Sequence, residues 1–447
     1  MVGKQRKMKR YASGNPDLRH RSQMPGPEIA EIEQRLYQLL SPALLAPRQM
    51  ERHNPKDPKR PIRMRARLLT LPVMMAIILS LVCRRLPSLA EAQRLLERDG
   101  LLWVSPLRVS QQAINRRLDT MPAEVVGELL QELCQQLKAE PPGESDDRWG
   151  HLTQDFPSLL VVDGSTLEEL RQKSGELRGV DQPVLGGKIM VMVELLGLKP
   201  VWVRYTEESS ANDKVFAQEI LEGVPQGGLL VYDLGFFSFV WFDAFTEQGR
   251  YFVTRMREKT AYRVVETLSQ GPYYRDQIIQ LGQYRSNPCQ HPVRLVEVLW
   301  GSTWYRYLTN VVNPQMLSPR DVCELYRRRW RVEDAFLLTK RVLDLAYLWS
   351  GSRNAVQLQV YATLIFYGVL IEVCQETAML LGQPLERISV EMVFRGFYHY
   401  SQALQKGSSL SLVSFLTEHA RLLGLVKRVR KRDREHLQGS ALVWADP

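Results

Sequence analysis

The chain has 447 residues, 45% of them hydrophobic and 24% charged, with a net charge of +10. Its length exceeds one simple core and suits two or three domains, and its composition is that of a soluble folded protein. Five scattered cysteines (Cys83, Cys134, Cys289, Cys323, Cys374) exclude a zinc-ligand spacing and a disulfide framework, and fit a reducing cytosol.

Residues 1–67 form a basic, Pro-rich arm with 16 Lys and Arg against 6 Asp and Glu, so the rest of the chain is formally neutral. Such an arm points to a polyanion, most often nucleic acid. Its first ~25 residues are expected to be disordered when free, with one short helical pattern near Glu28–Leu40. Leu68 to Cys83 is apolar but only 16 residues long and carries Pro72. A membrane span needs about 20 residues, so this run reads as one or two buried helical turns. It also lies too far inside the chain for a signal peptide.

Residues 68–150 read as a helical DNA-binding domain. Ser88-Leu-Ala-Glu91 has the pattern of a capping box, and Gly100 stops that helix. Ser110 caps a second, Gln111–Leu118; two short helices joined by a tight turn resemble a helix-turn-helix. Gln111, Gln112, Asn115, Arg116 and Arg117 then have the chemistry to meet base edges and phosphates. A third helix runs from Ala123 to Lys138. The stretch Glu140-Pro-Pro-Gly-Glu-Ser-Asp-Asp-Arg148 is the best boundary.

From Ser158 the pattern becomes β, β, β, α, β, α, β. Leu159–Val162 is a buried strand ending at Asp163, and Gly228–Tyr232 is another ending at Asp233. Lys188–Leu196, Pro200–Tyr205 and Arg250–Arg255 are the other strands, with helices at Asp213–Leu221 and Ser238–Glu247. This is the order of a ribonuclease-H-like α/β core, expected over residues 151–365. Residues 256–310 read as a β-rich insertion, being longer than a simple connection. Residues 366–447 read as a helical region that ends in the basic run Lys427–Arg434 and is expected to serve dimerisation.

The segment Glu324–Lys340 reads as one amphipathic helix. With Tyr326 at zero, Arg329, Glu333 and Lys340 fall near −60°, −20° and −40°, a stripe about 60° wide at about 100° per residue. A carboxylate among phosphate-binding cations suits a metal-dependent enzyme acting on DNA. Asp163, Asp233 and Glu333 meeting at strand ends would repel one another unless cations lay between them, and two Mg²⁺ ions satisfy all three.

Tyr326, Arg329, Glu333 and Lys340 fit the pattern Tyr-x2-Arg-x3-Glu-x6-Lys. Leu160-Val-Val-Asp163-Gly-Ser-Thr and Val231-Tyr-Asp233-Leu-Gly-Phe-Phe-Ser precede it as two Asp blocks, and Phe252-Val-Thr-Arg255-Met-Arg257 follows the second. Over residues 155–365 the chain resembles the DDE transposases of the insertion-sequence-four family. It departs from them at Leu234, where many members carry Arg. The resemblance implies a cytoplasmic, nucleoid-associated cut-and-paste transposase that hydrolyses and rejoins phosphodiesters at terminal inverted repeats. Asp163, Asp233 and Glu333 would be the catalytic metal ligands, for two Mg²⁺ with Mn²⁺ as a substitute. Tyr326, Arg329 and Lys340 would grip end phosphates, with Arg255 and Arg257 as further contacts. Trp300 and Trp304 are candidates to stack an extruded base. Expected partners are double-stranded transposon-end and target DNA and a second copy of the chain on DNA, with no membrane and no nucleotide cofactor. The absence of a Gly-x4-Gly-Lys-Ser/Thr loop agrees with chemistry that needs no ATP. The competing readings are a nuclease on the same core that cuts without strand transfer, and an inactive, domesticated DNA-binding derivative.

Overall fold

The computed structural model describes residues 28–45, 51–52, 62–63, 68–139, 149–166, 187–208, 211–330, 349 and 352–428. Among them lie twelve helices of six or more residues. These are α1 (Ala30–Leu45), α2 (Leu71–Cys83), α3 (Leu89–Arg98), α4 (Gln111–Thr120), α5 (Ala123–Ala139), α6 (Gly150–Asp155), α7 (Ala217–Gly223), α8 (Phe239–Glu247), α9 (Pro319–Arg328), α10 (Arg353–Leu380), α11 (Val390–Gln405) and α12 (Leu412–Glu418). A nine-stranded sheet contains β1 (Leu159–Thr166), β2 (Lys188–Glu194), β3 (Pro200–Thr206), β4 (Leu229–Val231), β5 (Tyr251–Arg255), β6 (Tyr262–Gln270), β7 (Tyr274–Leu281), β8 (Val293–Trp300) and β9 (Thr303–Thr309).

The strand order is β3-β2-β1-β4-β5-β9-β8-β7-β6. Only β1, β4 and β5 run parallel to one another; every other pairing is antiparallel. The region expected as a β-rich insertion, residues 256–310, is built of strands. Its strands β6–β9 continue the core sheet, because β9 pairs with β5 through Tyr307↔Arg255. The central strands β1, β2, β4 and β5 are buried on both faces, whereas the edge strand β6 is largely exposed, and alternate residues of the central strands serve different cores. Leu159, Val161, Val231 and Val253 pack with the flanking helices of both chain ends. Leu160, Val162, Leu230 and Phe252 pack instead with α7 and α8.

The sequence signals place the flanking helices well. Ser88 accepts from the Glu91 N–H and Ser110 from the Ala113 N–H, so both predicted N-caps form. The Leu68–Cys83 run makes a longer helix than expected, α2, because Pro72 sits in its first turn, where no N–H is needed. The predicted tight turn between α3 and α4 is absent. Residues 99–110 form a wider connection, with Gly100 at φ 86° and a small Leu101–Val104 bridge. The boundary expected at residue 365 falls inside α10, one uninterrupted helix. That helix is long and apolar enough to cross a membrane, yet 89% of its most apolar stretch is buried inside the fold. It packs on α2, α4, α5, α11 and α12, so the helices before and after the sheet share one core.

Most of the basic arm, the 140–148 linker and the end of the basic run at 427–434 lie outside the described residues.

Candidate active site

Strands β1 and β4 pair in parallel with Val161 opposite Val231. Two residues further along each, on the same face, stand Asp163 and Asp233. Their strands are neighbours, with Asp163 inside β1 and Asp233 two residues past the end of β4, and the charges of both are felt by Arg329. Strand β5 extends the row: Val253 lies opposite Val231, which brings Arg255 level with Asp233, and Tyr307 of β9 pairs with Arg255. Residues 70 and 144 positions apart in the chain are thus carried by neighbouring strands or by the segment just past one, with Arg255 and Tyr307 directly paired.

Local hydrogen bonds aim the carboxylates. Asp163 Oδ1 accepts from the Gly164 N–H at 2.9 Å. Asp233 begins a short 3₁₀ turn, Leu234–Phe236, and its Oδ1 accepts from the Gly235 N–H at 2.9 Å. Asp163 belongs to a strand that continues to Thr166, rather than ending at the carboxylate as the sequence suggested.

Helix α9 supplies a cation. Its start is fixed by a reciprocal capping box between Ser318 and Asp321, with Pro319 in the first turn. The loop before it is held by Arg294, whose guanidinium forks onto Asp276 at 2.7 and 2.8 Å and donates to the carbonyls of Val311 and Leu317. At the other end, Arg328 lies over the Trp149 ring and pairs with Glu386 at 2.8 Å. So braced, the helix presents Arg329, whose Nη1 donates to Asp163 Oδ2 at 3.0 Å.

The Arg329 side chain is 7% exposed and that of Asp163 16%. Burial alone would lower the Arg329 pKa, but Asp163, Tyr326 and Asp233 together hold it above its ordinary value. Burial also raises the Tyr326 hydroxyl, against the pull of Arg329 and Arg255. Tyr326 is itself a core residue, its ring 5.3 Å from that of Tyr307. Helix α9 ends at Arg328, with Arg329 at the C-cap. Glu333 and Lys340 lie outside the described residues.

Other predicted residues are distributed unevenly. Arg255 is exposed and stacks over Tyr305 at 5.8 Å, on the Asp163 face. Arg257 lies over Phe237, where the turn opened by Asp233 closes. Trp304 is placed elsewhere: by strand alternation it shares the Leu308 face, opposite that of Asp163, and Arg275 covers its ring at 4.8 Å. Trp300 is on the Asp163 face. On α4, Gln111, Gln112, Asn115 and Arg116 are exposed, but Arg117 is not available to DNA. Its guanidinium is buried and donates twice to the Leu69 carbonyl, because position 117 falls on the apolar stripe with Ile114 and Leu118.

Sequence reading missed Asp213 and Lys188. They form an ion pair at the same strand ends, reached from the opposite face of the sheet. No local pattern marks them, since Asp213 lies 50 residues from Asp163.

Carboxylate oxygens are the donors that a hard divalent cation takes, and two of them side by side need positive charge between or beside them. Arg329 supplies part of it here. Asp163 and Asp233 therefore fit such an ion, although among the described residues no three His, Cys, Asp or Glu side chains are grouped to hold one.

The stretch from residue 154 to residue 368 matches the family described as the transposase DDE domain. Just under half of the chain is thus similar to a transposase DDE domain. An insertion-sequence transposase from Geobacillus stearothermophilus is 26% identical over 203 residues, 44% of this chain and 51% of the relative. A Sinorhizobium fredii transposase is 24% identical over 172 residues, 36% of this chain and 47% of the relative. The chain spans about half the length of these relatives. Among solved structures, a piggyBac transposase synaptic complex with hairpin DNA covers 89% of this chain at 11% identity, but its TM-score of 0.41 is too slight to argue from.

Proposed function

We propose that this chain is a cut-and-paste DNA transposase of the insertion-sequence-four family, built on a ribonuclease-H-like core. The observation that carries the proposal is that Asp163, in β1, and Asp233, just past the end of its parallel neighbour β4, both lie near Arg329, which donates to Asp163. Strand ends of an α/β sheet are where such a fold binds its substrate. Glu333, four residues beyond Arg329 in the sequence, is the third carboxylate of the proposed set.

A divalent cation held by Asp163, Asp233 and Glu333, Mg²⁺ with Mn²⁺ as a substitute, supplies charge neutralisation and Lewis-acid polarisation at the phosphodiester. The protein's own groups do the rest. Asp163 and Asp233 are held in orientation by the Gly164 and Gly235 amides before any ligand arrives. Arg329 offsets the Asp163 charge in the free protein and has the planar fork that would bind a DNA phosphate. Tyr326, whose hydroxyl burial makes a still weaker acid, donates its O–H to a phosphate oxygen. Arg255 and Lys340 extend the grip on the backbone, and the exposed side of α4, with Asn115 and Arg116, reads the transposon end. The reaction is hydrolysis at the element's end followed by attack of the freed 3′-hydroxyl on target DNA. Both ends are cut together by two copies of the chain, which meet through the helices after the sheet.

The deciding experiment is strand transfer of a pre-cleaved end into plasmid DNA with Mg²⁺. The wild-type chain is expected to join the two, and Asp163→Asn is not. A wild-type chain that nicks DNA but never joins it is a nuclease. One that binds ends and does neither is a DNA-binding derivative.

A further inference from the structure

The two carboxylates are aimed by two glycine amides, and one further side chain packs on both glycines. A Cβ on Gly164 would stand 3.2 Å from Asp213 Oδ1 and 2.4 Å from the Met190 sulfur. A Cβ on Gly235 would stand 2.9 Å from Asp213 Oδ2 and 3.0 Å from Asp233 Oδ1. Neither glycine has a positive φ, so each is small for lack of room and not for backbone conformation. The Asp213 carboxylate is thus wedged against the two peptide segments that orient Asp163 and Asp233.

Asp213 is itself held. Lys188 forms an ion pair with it and also donates to the Ala211 carbonyl at 2.9 Å. Lys188 opposes Thr166 at the end of β1 and, by alternation, shares the face of Met190 and Gly164. Its side chain is 12% exposed. Arg329 meets Asp163 from one face of the sheet, and the Lys188–Asp213 pair supports the same strand ends from the other.

We propose that Asp213, fixed by Lys188, is a positioning residue of the active site: it sets the separation and direction of Asp163 and Asp233, and hence their affinity for a divalent cation. This inference rests on the reading of Asp163 and Asp233 as metal ligands. Groups that orient ligands from behind typically change metal affinity or activity by about 10–100-fold when altered.

The test is Mn²⁺ titration of the full-length chain by calorimetry, without DNA, paired with thermal melting in EDTA. Asp213→Asn keeps the shape and removes the charge; Lys188→Met removes its partner and serves if the first variant fails to fold. Each is expected to raise the Mn²⁺ dissociation constant by about tenfold while the melting temperature in EDTA stays near that of wild type. Asp163→Asn is run beside them. Weakened Mn²⁺ binding in Asp163→Asn alone overturns the role of Asp213. Unchanged binding in all three overturns the metal-site reading itself, and this inference with it.

Discussion

Two buried arginine–aspartate pairs separate the structural part of the transposase domain from its working part. Arg294 and Asp276 are both 0% exposed and lie on neighbouring antiparallel strands. The fork onto one carboxylate and the two carbonyl contacts leave the pair closed to water. Arg329 and Asp163 come from elements 166 residues apart and remain partly exposed, and a second carboxylate, Asp233, stands beside them. The first pair is a brace, since a buried pair tolerates no loss of a partner. The second holds charge where another cation or a phosphate can exchange for it. The same two residue types do different work because of what surrounds them.

Breaking the second pair on its acidic side should have the largest effect. Asp163→Asn and Asp233→Asn are expected to lower end cleavage by about a thousandfold or more, since several kcal/mol of charge stabilisation are lost at about 1.4 kcal/mol per decade. The melting temperature should hold. A variant cutting at the wild-type rate refutes the site. Breaking the first pair should do the reverse. Arg294→Met leaves Asp276 buried and unpaired and is expected to cost about 3–5 kcal/mol in denaturant unfolding, with much of it recovered in Arg294→Met/Asp276→Leu. A single variant as stable as wild type would show that the brace is not needed.

Smaller effects sharpen the contrast. Asn115→Ala is expected to weaken end binding by about 1–3 kcal/mol and Arg116→Ala to reduce the salt slope, while Arg117→Ala should lower stability through its lost contact with Leu69. Equal binding losses at 116 and 117 would mean that α4 turns on DNA. Arg329→Lys keeps the charge but loses the planar fork, so end binding should fall modestly and more steeply with salt, with little change in melting temperature. Ser318→Ala should cost about 1 kcal/mol of stability through the capping box that starts α9.

Much of the fold was legible because its signals are local. Ser88, Ser110 and Gly100 mark helix ends through their own backbone chemistry, and Leu159–Val162 marks a strand by being apolar on both faces. The two aspartates were legible as carboxylates following buried strands. Arg117 was misread because its chemistry was considered before its position on the helix stripe. The face that Trp304 occupies was not legible, because strand alternation fixes it only once the register with β8 is known. Residues 256–310 read as an insertion, since nothing local says that β9 pairs with β5.

The amino-acid order by itself determined which segments become helix or strand, and which side chains carry charge into the interior, because propensity, capping and hydrophobic period act within a few residues. Tertiary structure alone decided that Arg255 pairs with Tyr307, that Arg329 answers Asp163, and that Asp213 lies against both glycines. Those relations depend on strand order and register, which arise from burying two faces of one sheet at once and leave no trace in any single stretch of chain.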